Sequence, residues 1–115
     1  MEITGREIGG IVVIDIEGEI RRSEASQVTL SQMVKAELER GKKDIVLDLS
    51  GVSFVDSFGV GEILASYVST QDIGGRFGLS GVQRKVLVVF EVTMLTKILK
   101  LYDTLEKALA ALDET

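Results

Sequence analysis

The chain has 115 residues and a net charge of −5, with 45% hydrophobic and only 5% aromatic residues. That is enough for one domain with its own core, and the acidic, aromatic-poor balance argues against partners bound through nucleic-acid phosphates or stacked bases. Cysteine and histidine are both absent, which excludes disulfides, thiol chemistry, zinc–thiolate sites and Ser-His-Asp or Cys-His nucleophile activation.

Residues 3–8 and 11–16 are β-rich runs separated by Gly9-Gly10, a pair suited to a tight hairpin. Gly18-Glu19-Ile20 leads into a polar stretch over residues 21–26. A helix is expected next, with Leu30, Val34 and Leu38 one turn apart and Met33 beside them. Ser23 is the expected N-cap, and Gly41 is placed to end the helix in the left-handed conformation. Residues 44–49, Asp-Ile-Val-Leu-Asp-Leu, are nearly continuous in apolar character, as in a strand covered on both faces.

The segment Asp56-Ser57-Phe58-Gly59-Val60-Gly61 follows, opening a helix whose Val60, Ile63, Leu64, Tyr67 and Val68 recur at helical spacing up to Gly74-Gly75. A serine thus sits where a strand-to-turn connection becomes a helix. On residue types alone the default reading is a cap, in which Asp56 or Ser57 accepts a backbone N–H bond worth roughly 1 kcal/mol. Asp48 and Asp56 as paired catalytic carboxylates or a Mg²⁺ site lack a third ligand or a base.

Residues 76–80 and 97–102 read as short strands, and Leu105, Ala108, Leu109 and Leu112 form the stripe of a closing helix. Asp103 with Glu106 gives that helix a capping-box-like start. Residues 85–90, Lys-Val-Leu-Val-Val-Phe, suit a strand on propensity, while Val82, Val86, Val89 and Phe90 fit a helical face equally well. The basic pairs Arg21-Arg22, Lys42-Lys43 and Arg84-Lys85 read as solvated surface charge. Strand-helix alternation after an initial hairpin predicts an α/β fold with a mixed sheet. Neither G-x-G-x-x-G nor a phosphate loop is present. The chain opens with neither a signal peptide nor a basic targeting segment, and no apolar run has spanning length, so a cytoplasmic location is expected.

Residues 48–61, Asp-Leu-Ser-Gly-Val-Ser-Phe-Val-Asp-Ser-Phe-Gly-Val-Gly, resemble the signature of STAS domains, specifically the small anti-sigma factor antagonists of bacteria. Gly18-Glu19-Ile20 is similar to the family's motif after its second strand. Residues 91–95 and 101–103 are similar to its E-L-T-G-L…Y/F-D segment. The resemblance covers essentially residues 1–115 as one STAS domain. It implies a single-domain mixed β-sheet of four or five strands with helices packed mainly on one face, and it makes residues 82–92 helical.

In that family the unphosphorylated antagonist binds an anti-sigma factor that is also a GHKL-type serine kinase, releasing a sigma factor. Phosphorylation of the serine after the signature aspartate ends the interaction, and a serine phosphatase resets it. The matching residue is Ser57. The resemblance further implies partner contacts at Asp56, Phe58, Gly59, Gly61, Glu19, Arg21 and Ser23. It implies a monomer or weak homodimer with no catalytic residues, cofactor, metal, nucleic acid or membrane. Phe58 departs from the family's small residue at that position, Arg21 from its aspartate, Met94 from its glycine, and Leu87 and Val88 from polar residues. The alternatives are a STAS scaffold subunit of a stressosome-like assembly and, more remotely, a small hydrolase or nucleotide-handling enzyme.

Overall fold

The computed structural model describes residues 1–22 and 28–113. Strands β1 (Glu2–Ile8) and β2 (Ile11–Ile20) form the N-terminal hairpin. Helix α1 (Leu30–Glu39) leads to β3 (Asp44–Val55), α2 (Ser57–Asp72) to β4 (Arg76–Ser80), and α3 (Arg84–Val92) to β5 (Lys100–Tyr102); α4 (Leu105–Asp113) closes the chain. The hairpin turn needs both glycines, because Gly9 and Gly10 lie at φ +56° and +84°, the type I′ combination.

The sheet runs β1-β2-β3-β4-β5, antiparallel between β1 and β2 and parallel thereafter. Because each parallel strand adds to the same side of the last, right-handed crossovers put all three connecting helices on one face. Leu30, Val34 and Leu38 of α1, Ile63 of α2, and Val86 and Phe90 of α3 pack there against Ile14, Ile45, Leu47 and Leu79. Having no further strand to reach, α4 covers the other face, where Ala108 and Leu112 meet Ile11 and Val46. This is the expected α/β arrangement, with helices mainly on one face.

The structure corrects several local expectations. Helix α1 starts at Leu30 under a capping box, with Thr29 accepting from the Gln32 N–H and the Gln32 side chain reaching back; Ser23, the expected cap, lies outside the described residues. Strand β3 continues past residue 49 to Val55, with register shifts against β2 at Asp15/Glu17 and Gly18/Glu19. The exposed Ser50-Gly51 pair at the irregularity interrupts the apolar run and hides the continuation. Strand β5 is confined to Lys100–Tyr102, because Leu95–Lys97 winds into a 3-10 turn behind Met94 at φ +66°. Thr104, not Asp103, caps α4, its hydroxyl accepting from the Lys107 N–H at 3.2 Å.

Residues 84–92 are helical despite their β-branched content. Parallel β4 and β5 require a crossover, and burial of Val86 and Phe90 outweighs local propensity. Val88 and Met94 are 51% and 52% exposed, so these departures from the family pattern lie at the surface and do not adjust the core. Among the described residues no helix is long and apolar enough to cross a membrane.

Candidate functional site

The conspicuous sequence motif lies where the carboxyl ends of β2 and β3 meet the start of α2. Two backbone contacts fix this junction. The Asp56 N–H donates to the Ile20 carbonyl at 3.2 Å, and Gly59 packs so tightly on Ile20 that a Cβ there would overlap the same carbonyl oxygen and lie 2.7 Å from Val55 Cγ1. Gly59 is buried. The backbone that approaches it closely is therefore that of its own chain. Gly61, by contrast, is exposed, with open space where a side chain would stand.

Asp56 caps the helix. Its Oδ1 accepts from the Gly59 N–H at 2.9 Å and its Oδ2 from the Arg22 N–H at 3.1 Å, tying the end of β2 to α2. Partial burial pushes this carboxyl up, but the N–H groups of Gly59, Arg22 and Phe58 and the charge of Arg21 outweigh it and hold Asp56 below the ordinary carboxylate value. The cap position is thereby filled. Ser57, the first helical residue, is exposed, and among the described residues its hydroxyl has no hydrogen-bond partner. Of the two residues that could have capped the helix, the aspartate does so and the serine is left unspent.

Two arginine–aromatic stacks stand at this junction. The Arg21 guanidinium lies 4.5 Å from the centroid of the Phe54 ring, and that of Arg22 lies 5.2 Å from Phe58. Arg21 also pairs with Glu19 at 3.1 Å; the two are neighbours on one face of the chain as it leaves β2. Arg21, Arg22, Phe54 and Asp56 line an open depression beside the start of α2. In the sequence Arg21-Arg22 reads as solvated charge, and nothing there marks Arg22 or Phe54 as part of the site. The signal was available only through pairing, since Phe54 stands opposite Glu19 in the β2–β3 register.

The structure thus brings together Glu19, Arg21, Asp56, Ser57 and Phe58, with Gly61 on the first turns of α2 and Gly59 beneath them. Ser23 lies outside the described residues. Asp48 stands apart in role: its carboxylate accepts from the Ser50 N–H at 2.9 Å, shaping the middle of β3. Among the described residues no three metal-ligating side chains converge.

Comparison with known proteins identifies the family and the fold. Residues 2–108 match the STAS domain. The anti-sigma F factor antagonist of Paenibacillus polymyxa is 31% identical over 104 residues, covering 90% of this chain and 88% of that protein. A Thermotoga neapolitana protein, named as a homologue of an anti-sigma factor antagonist, is 39% identical over 72 residues; the match spans 63% of this chain and 64% of that protein. The fold is shared with the anti-sigma factor antagonist SpoIIAA in its unphosphorylated form (TM-score 0.76, 21% identity, 99% of this chain and 100% of that one). It is also shared with SpoIIAA in its phosphorylated form (TM-score 0.73, 22% identity, 96% and 98%). Matched along nearly its whole length, the chain belongs to the STAS domain family, among relatives named as anti-sigma factor antagonists.

Proposed function

We propose that this protein is a cytoplasmic, phosphorylation-regulated antagonist of an anti-sigma factor, a binding module without chemistry of its own. The observation that carries the reading is the division of labour at α2: Asp56 caps the helix and the exposed Ser57 hydroxyl is uncommitted. The partner is an anti-sigma factor with GHKL-type serine kinase activity. Unphosphorylated protein binds it and frees a sigma factor.

In the switching step the Ser57 Oγ forms a bond to the γ-phosphorus of ATP bound to the kinase. The anhydride bond to ADP breaks, and the hydroxyl proton passes to a base on the kinase. A serine phosphatase returns phosphate to water. The modification adds about −1.5 to −2 charges and three acceptor oxygens beside the ionised Asp56. An apolar or acidic partner surface is expelled by that charge, while the strand–helix junction beneath, made by Gly59, Ile20 and Val55, is untouched.

The outward face of α2 suits close docking. Ser57, Gly61, Ala65 and Val68 are exposed and uncharged, so a partner can approach the helix without desolvating ions. Phe58, half-buried at the same end, carries the Arg22 guanidinium over its ring, so a partner meets the stacked pair and not a bare ring.

The test is co-purification of tagged protein from its own cells, with mass spectrometry of position 57. Wild type should retain a serine kinase partner and carry phosphate in a fraction of molecules. Ser57→Ala should bind as wild type and carry none, and Ser57→Asp should bind at least about tenfold more weakly. Equal binding by all three forms refutes the switch.

A further inference from the structure

Arg22 touches both neighbours of Ser57. Its backbone N–H is held by Asp56 at 3.1 Å, and its guanidinium lies over the Phe58 ring, 5.2 Å from the centroid. The residue between them is the proposed phosphate acceptor. Arg22 is exposed, and among the described residues its guanidinium has no carboxylate partner. Arg21 is engaged differently, stacked on Phe54 and paired with Glu19. In a chain of net charge −5, a cation held at this spot against a neutral ring is a cation in reserve.

The geometry points to Arg22 as an intramolecular receptor for phosphoserine at position 57, leaving the Phe58 ring to take the phosphate and so uncovering that ring only in the modified state. The inference rests on the reading of Ser57 as the phosphate acceptor, and it deepens that reading by naming what the phosphate does within the molecule. A guanidinium over a half-buried ring at the surface is held weakly. The same guanidinium facing a phosphomonoester makes charge-assisted, bidentate hydrogen bonds, which are shorter and stronger. The competition therefore runs toward phosphate, and Arg22 can make the exchange without breaking its backbone tie to Asp56.

Phosphorylation then acts twice on the docking surface. It adds negative charge, and it removes the lid from Phe58. The charged groups facing the phosphate are the carboxylates of Asp56 and Glu19, which oppose its second ionisation, and the guanidinium groups of Arg21 and Arg22, which favour it. Glu19 already holds Arg21, so Arg22 is the group free to decide the balance.

The test uses the full chain with phosphoserine inserted at position 57 during translation, so that no kinase or partner is needed. Phosphorus NMR across pH 4–8 should place the second ionisation of the phosphate about half a unit to one unit below that of a phosphopeptide spanning residues 54–60. Arg22→Gln should return at least half of that shift. In proton NMR, the Arg22 side-chain signals, moved upfield by the Phe58 ring in unmodified protein, should lose that displacement on phosphorylation.

A displaced ionisation that Arg22→Gln leaves unchanged would assign the effect to backbone N–H groups and overturn the proposal. So would an Arg22 ring-current shift that persists in the phosphorylated protein. Thermal melts of unphosphorylated Arg22→Gln confirm its fold, which an exposed substitution should preserve. Failure here leaves the partner experiment above untouched. Conversely, a cell in which Ser57 is never phosphorylated would not alter the NMR result.

Discussion

Helices α1 and α2 lie side by side on one face of the sheet, and each begins with a capped turn containing a serine. At α1 the polar side chains of that turn are all engaged. Thr29 and Gln32 satisfy one another reciprocally, and Glu62 reaches across from α2 to accept from both the Ser31 N–H, at 3.0 Å, and the Ser31 hydroxyl, at 3.1 Å. At α2 the aspartate alone completes the cap, and among the described residues Ser57 is left without a partner. One serine is structural and the other is held out to solvent, although both stand in the first turn of a capped helix. Hydrogen bonding, more than residue type, separates a cap from a candidate switch.

The largest break in this comparison should come from beneath α2. Gly59→Ala forces a methyl group onto the Ile20 carbonyl and against Val55, and neither backbone can yield without moving the helix. A loss of about 3 kcal/mol is expected from overpacking of this kind, read as a fall in the urea midpoint. Gly61→Ala, two residues on in open space, should instead stabilise the helix by about 0.5–1 kcal/mol. If the two alanines behave alike, the close approach at Gly59 does not hold the site together.

Removing the cap comes next. Asp56→Ala should cost about 1–2 kcal/mol, since it frees the N–H groups of Gly59 and Arg22 together. The pH dependence follows from the direction of its shift. Because the folded-state value is depressed, the contribution is complete above the unfolded-state value of about 3.9 and is lost as pH falls through the lower, folded-state value. The difference in urea midpoint between wild type and Asp56→Ala should therefore be constant near neutrality and shrink below about pH 4. A gap that persists unchanged in acid would mean that the carboxylate's charge contributes nothing.

Much of the architecture was legible because its signals are local. The Gly9-Gly10 turn, the stripe of Leu30, Val34 and Leu38, the stop at Gly41 and the face of α4 can each be read within one window of sequence. What escaped depends on distant contacts. Residues 84–92 become helical because two parallel strands need a crossover, and β5 is short because Met94 at φ +66° winds the next residues into a turn. The same holds at the site. The importance of residues 56–61 was plain from the sequence, whereas the stacking of Arg21 on Phe54 and Arg22 on Phe58 needed two strand ends to be brought side by side.

The finest separation of the two helix starts is a pair of serine-to-alanine changes. Ser31→Ala removes the hydroxyl that Glu62 engages through both carboxylate oxygens, at 3.1 Å each, and leaves the carboxylate only the Ser31 N–H. The expected cost is about 1 kcal/mol, that of a part-buried, charge-assisted hydrogen bond. Ser57→Ala removes an exposed hydroxyl with no partner among the described residues, and alanine is the better helix former. Its unfolding free energy in urea should stay within about 0.5 kcal/mol of wild type in either direction. A clear loss at Ser57 would mean that the hydroxyl supports the fold, and the contrast with Ser31 would disappear. Stability unchanged at Ser57 but reduced at Ser31 would leave the switch serine free of structural duty, the condition under which phosphorylation can alter a surface without unfolding what carries it.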